Sequence, residues 1–216
     1  MIRVLAILFA IALSGLAAAA SPADDFWAWF SANDAEYFKL DLDNVPQREP
    51  LFDKLSSRLT AVNPELTFEF GPLINGRRDF VISAGGIKSA FPAVEQLVKQ
   101  APRLPNWNVI AFRPRRHPVS VVQIGSVSLD PERVLVELGQ DDKAIGLVVY
   151  IDGYFEDKNA EFGQAAYLLL DEALGEYDVE TKVGYVEFRP MPAQAPKGCV
   201  SMAELATAFD GFRPGA

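Results

Sequence analysis

The sequence predicts an α+β fold: two N-terminal helices, then two β-β-α-β units forming antiparallel or mixed sheet with helices packed on one face. Three observations predict it. Apolar residues recur first at helical spacing and then alternate as they do in strands. The order strand, strand, helix, strand reads twice along the chain. Both passes close on similar words, Ile110-Ala111-Phe112-Arg113-Pro114 and Val186-Glu187-Phe188-Arg189-Pro190. We therefore read an internal repeat.

The elements follow in order. Met1-Ile2-Arg3 is a short basic start, Val4 to Leu13 is purely apolar, and Ala18-Ala19-Ala20 offers small residues to a signal peptidase. Residues 1–20 are expected to be a signal peptide, which places the mature protein in the periplasm of a Gram-negative bacterium or outside the cell. Ser21-Pro22 followed by Asp24 and Asp25 opens a helix running to about Leu40. Leu51, Leu55, Leu59 and Val62 form one stripe of a second helix, Glu49 to Val62, which Asn63-Pro64 stops.

Leu66 to Phe70 and Asp79 to Ala84 are strands around the turn signal Asn75-Gly76. A helix carries Phe91, Val94, Leu97, Val98 and Ala101, and Trp107 to Arg113 returns as a strand. Ser120 to Ile124 is a short strand between the units. The second unit comprises strands at Val134 to Leu138 and Ile145 to Ile151, a helix from Asn159 to Leu174, and a last strand from Val183 to Arg189. Ser201-Met202-Ala203-Glu204 has the pattern of a capping box before a terminal helix docked by Ala206 and Phe209. Residues 21–118 would hold the first unit and residues 119–216 the second, in one compact region.

Composition excludes several classes. The chain has 216 residues, is 50% hydrophobic and 23% charged, and carries a net charge of −9. That is too apolar for wholesale disorder and too acidic for a nucleic-acid binder. One His and one Cys exclude a disulfide framework and leave little for a His-rich or zinc-thiolate site. No metal and no cofactor are expected. Charge is unevenly divided: residues 21–118 carry 12 basic and 12 acidic side chains, residues 119–216 carry 7 and 17. The acidic half is a solvated surface or a docking face for a basic partner.

Three constellations could carry chemistry. Arg113, Arg115, Arg116 and His117 follow a strand end in a proline-stiffened loop. Their guanidiniums could grip a carboxylate or phosphate, or pair with the acidic second half. Ser83-Ala84-Gly85-Gly86 joins a strand to a helix, and Gly85 and Gly86 could cradle an anion or simply make the turn. Asp152 to Asp157 holds three carboxylates that could bind a hard cation or flank a helix start. The aromatics Trp27, Trp29 and Phe30 cover more than one face of the first helix, as core or as a partner face. Cys199 is a half-buried small residue or a reactive thiol.

Phe26-Trp27-x-Trp29-Phe30-x-x-Asn33, Phe80-Val81-Ile82-Ser83-Ala84-Gly85-Gly86, Leu97-Val98-x-x-Ala101-Pro102, Trp107 and Phe112-Arg113-Pro114 together resemble a family of bacterial proteins of unknown function. The likeness spans about Phe26 to Arg189. It implies an α+β domain and brings no activity, cofactor or catalytic residue. The signal peptide departs from the family's pattern, which is associated with chains lacking one.

No nucleophile–base pair or cofactor fingerprint stands in the sequence, so catalysis is left open and no catalytic residue is assigned. The leading expectation is a non-enzymatic binding or interaction module with a protein or small-anion partner. The alternatives are a hydrolase using carboxylates or Ser83, and a small-anion binder at the Arg113–His117 loop. No membrane span is expected after signal cleavage.

Overall fold

A computed structural model of the chain describes residues 21–155 and 158–213. The expected signal peptide lies outside the described residues, as do Glu156 and Asp157 of the acidic loop.

Helix α1 (Pro22–Phe38) starts on a capping box. Ser21 Oγ accepts the Asp24 N–H at 3.2 Å, and the Asp24 carboxylate accepts the Ser21 N–H at 3.1 Å. Helix α2 (Val45–Thr60) begins earlier than its apolar stripe predicts. The Asn44 side chain caps it by accepting the Gln47 N–H at 3.3 Å, and Pro46 fits the first turn, where no N–H is needed.

Strands β1 (Thr67–Ile74) and β2 (Arg77–Ser83) pair antiparallel. They turn at Asn75 (φ 52°) and Gly76 (φ 75°), the left-handed pair that a tight hairpin requires. Strand β1 lies at the sheet edge, which suits Pro72 and the shift in register between Phe70 and Leu73. Helix α3 (Phe91–Lys99) buries Phe91, Val94 and Leu97, and β3 (Trp107–Ala111) pairs parallel with β2, giving the order β1-β2-β3.

The core of this unit is aromatic. Phe30 stacks on Phe80 with ring centroids 4.7 Å apart, and the Trp27 indole N–H donates to the Leu97 carbonyl at 2.8 Å. Trp27 and Phe30 are buried. Trp29 is partly buried, with the Lys54 and Arg58 cations over its ring at 5.7 and 5.2 Å. The partner face suggested for Trp27, Trp29 and Phe30 is therefore corrected: these rings hold α1 to α2, α3 and the sheet.

A small hairpin, β4 (Val122–Ile124) and β5 (Val127–Leu129), packs on α4. The expected strand from Ser120 starts at Val122, and its partner β5 was too short to show periodicity. In the second unit β6 (Leu135–Asp141) and β7 (Ala144–Ile151) pair antiparallel through a turn at Asp142 (φ 50°). Helix α4 (Asn159–Leu174) and the unexpected helix α5 (Glu176–Lys182) follow, and β8 (Val183–Pro190) pairs parallel with β7. Strand β9 (Val200–Ser201) completes the order β8-β7-β6-β9. Ser201 opens a short 3-10 turn rather than a capped helix, its hydroxyl meeting Glu204 Oε2 at 3.3 Å, and α6 (Leu205–Gly211) begins after it.

Each unit thus has an antiparallel hairpin followed by helix and a strand parallel to the hairpin's second member. Central β7 is buried almost throughout, as its near-continuous apolar run requires. Tyr185 lies over Gly146, where an added Cβ would sit 2.3 Å from the ring. Two apolar cores result, one in each unit. Among the described residues no helix is long and apolar enough to cross a membrane.

Candidate functional site

The two units meet where β2 and β3 of the first end and α4 gives way to α5 in the second. Gly175 (φ 81°) stops α4, since a left-handed residue breaks the helical path. Glu176 follows and is fully buried. Its Oε1 accepts the N–H groups of Ala84 at 3.0 Å and Gly86 at 3.2 Å, and its Oε2 accepts the Arg113 N–H at 3.1 Å. The glycine turn does cradle an anion, and that anion is a carboxylate of the same chain. Gly85 and Gly86 have φ of 59° and 80°, and the Gly85 N–H donates to Ser83 Oγ at 2.9 Å. These positive φ values turn the chain so that the Ala84 and Gly86 amides, on either side of Gly85, reach one acceptor.

The arginine loop is the other half of the seam. Arg113 donates from Nε to Glu69 and from Nη1 to Asp171 Oδ2 at 3.2 Å. Its backbone sets out from Phe112, held at φ 65°. Arg115 donates to the Leu174 carbonyl at 2.7 Å, to Asp178 at 2.7 Å, and to both oxygens of Asp210 at 2.8 and 3.0 Å. Arg116 donates to Glu69 Oε2 at 3.2 Å, and its N–H to the Glu172 carbonyl at 2.7 Å. The three guanidiniums are thus engaged by internal carboxylates, most of them in the acidic second half. His117 is exposed beside this clamp and takes no part in it.

A cleft opens on this seam beside the glycine turn. It has a volume of about 510 Å³ and is lined by Gly85, Gly86, Arg113, Gln164, Tyr167, Leu168, Asp171 and Glu180. Asp171 is only 6% exposed. Burial pushes its carboxyl up to about 7, against the pull of Arg113 and with the help of Glu176 and Glu180. Burial also raises Glu180, with Glu176 adding to it and Lys88 opposing. Tyr167 is raised by burial and by the Glu180 charge. A concave site in which several groups have shifted protonation is the usual mark of a functional pocket.

The structure brings Gly85, Gly86 and Arg113 into this cleft. It leaves His117, Asp152 and Cys199 elsewhere. Ser83 is fully buried with its hydroxyl bonded to the glycine turn, so it offers no accessible nucleophile. Asp152 pairs with Arg133 on the surface. Burial raises the Cys199 thiol, which disfavours the reactive thiolate. Asp171, Glu176 and Glu180 were missed, because acids on helices read as solvated positions. The signal that could have found Glu176 is the Leu174-Gly175-Glu176 break immediately after an apolar helix. Among the described residues no three His, Cys, Asp or Glu side chains group to hold a metal ion.

No family model, curated protein or solved structure matches the chain. The site is therefore read from its own chemistry.

Proposed function

We propose that this chain is a non-enzymatic binding module, exported to the periplasm or cell exterior, whose ligand site is the cleft on the seam between its two units. The observation that carries the reading is the cleft itself. Both units build it, and its walls present a carboxyl that is nine-tenths buried, a tyrosine and a carboxamide. The chemically reactive candidates of the sequence are consumed in the fold: Ser83 by its glycine turn, and the arginines by carboxylates. This also weighs against an anion site on the Arg113–His117 loop, because a new anion would meet guanidiniums whose charge internal carboxylates already balance. The matched strand pairing of the two units supports reading them as an internal duplication.

The test is retention of a ligand. Protein isolated from its host's exported fraction is examined by native mass spectrometry, beside Gln164→Trp, which fills the cleft mouth. Mass retained by the native chain and lost from the variant supports the reading. Retention unaffected by the variant moves the site off the cleft. The same spectrum reads cleavage after Ala20.

A hydrolase reading of the same cleft rests on one observation, the paired elevation of Asp171 and Glu180. Turnover of a simple ester or glycoside that disappears in Glu180→Gln would establish it.

A further inference from the structure

The cleft walls decide what can enter. The main-chain donors are taken, the Gly85 N–H by Ser83 and the Gly86 N–H by Glu176, and the Arg113 charge is held between Glu69 and Asp171. The acceptors are in surplus. Among the described residues the Glu180 carboxylate takes no hydrogen bond and no ion pair, although Lys88 acts on it from beyond pairing distance. Only Oδ2 of Asp171 receives Arg113, at 3.2 Å. Glu180 Oε1 lies 3.2 Å from where a Cβ on Gly86 would stand, so the carboxylate borders the glycine turn. Gln164 and Tyr167 can donate or accept.

One side of the cleft is apolar. Tyr167 is 43% exposed and stands edge-on to Phe188, with ring centroids 5.5 Å apart, and Leu168 lies beside it. An aromatic face next to the unpaired Glu180 carboxylate and the free Oδ1 of Asp171 favours a cation with an apolar body. Among the described residues no three acidic side chains group for a metal ion, and two acceptors beside an apolar wall suit an organic cation with several N–H donors.

Building on the reading of this cleft as the ligand site, we propose that its ligand is an organic cation, a protonated amine or amidinium, donating to Asp171 and Glu180 with its apolar body against Tyr167 and Leu168. Binding is linked to protons. The charges facing Asp171 are Arg113 from the segment after β3 and Glu176 and Glu180 from α5, with Tyr167 on its own helix. Lys88 faces Glu180 from the first unit. A bound cation favours the ionised carboxyls, so protons leave on binding and affinity rises with pH.

The experiment is calorimetric titration of the exported chain at pH 6 and pH 8, with the site located by amide NMR shifts. The cationic probes are benzamidine, benzylamine and spermidine. Benzoate, inorganic phosphate and benzyl alcohol are the comparisons. Cations are expected to shift Gly85, Gly86 and α4 amides, and to bind about five- to tenfold tighter at pH 8. Glu180→Gln, which keeps the side-chain shape, is expected to weaken them about tenfold. Binding untouched by Glu180→Gln, or weaker at pH 8, overturns the inference. So do benzoate, phosphate or benzyl alcohol shifting those amides while the cations are silent, although the cleft then stands as a ligand site. Silence at those amides from all six probes overturns both readings.

Discussion

Glu176 and Arg113 are bonded to each other twice. The Glu176 N–H donates to the Arg113 carbonyl at 3.0 Å, and the Arg113 N–H donates to Glu176 Oε2 at 3.1 Å. With the Ala84 and Gly86 amides on Oε1, one buried carboxylate satisfies three main-chain donors of the first unit.

Removing it strands those donors. Glu176→Ala is expected to cost about 3–5 kcal/mol of unfolding free energy, since buried groups lose their partner without gaining water. Glu176→Gln keeps acceptor oxygen at one position only and should fall between. Urea denaturation measures both. A loss below about 0.5 kcal/mol for the Ala variant, the range of an ordinary surface change, would refute the account.

The arginines are expected to differ in rank. Arg113→Ala leaves buried Asp171 without its cation and Glu69 with Arg116 alone, and should cost about 3–5 kcal/mol. The Arg115–Asp210 pair is open to solvent on the Asp210 side, so its coupling should stay below about 1 kcal/mol and fade with salt. A double-mutant cycle at low and high salt decides this. An Arg115–Asp210 coupling as large as the Arg113 effect contradicts the ranking.

Stability should also depend on pH through Asp171. Its folded carboxyl is raised to about 7 from the ordinary aspartate value of 3.8. The folded state therefore holds a proton that the unfolded state has released. The contribution is fully present below pH 4 and is lost as pH rises through 7. Asp171→Asn should flatten the stability profile between about pH 5 and 8, where the native chain loses on the order of 1–3 kcal/mol. Chemical denaturation across that range reads it, and parallel slopes in the two proteins would exclude Asp171 as the titrating group.

The Tyr185 ring predicts a paired effect. Gly146→Ala places a methyl 2.3 Å from that ring and should cost about 1–3 kcal/mol as an overpacked site. In a Tyr185→Ser background the same change should cost at least about 1 kcal/mol less, because the obstacle is gone. Equal costs in both backgrounds would place the strain elsewhere.

The sequence made the two strand–helix–strand passes legible because period-2 and period-3.6 patterns survive burial on one face. It placed α4 from Asn159 to Leu174, as observed. It did not reveal α5, which is too short for a periodic stripe and carries mostly polar residues. The candidate site divided in the same way. Gly85, Gly86 and Arg113 announce themselves through backbone freedom and charge. Asp171 stands beside Glu172 at the end of an apolar run on α4 and reads as a solvated acid, although Arg113 of the first unit packs against it in the fold. Burial by a distant segment leaves no local periodic trace.

The nest in the first unit is completed from far along the chain, since Glu176 lies 92 residues beyond Ala84. During synthesis at about 5–20 residues per second, that interval is on the order of ten seconds. Until then the Ala84, Gly86 and Arg113 amides can be satisfied only by water. The first unit's aromatic core is therefore complete in the chain before the acid that closes its glycine turn has been made.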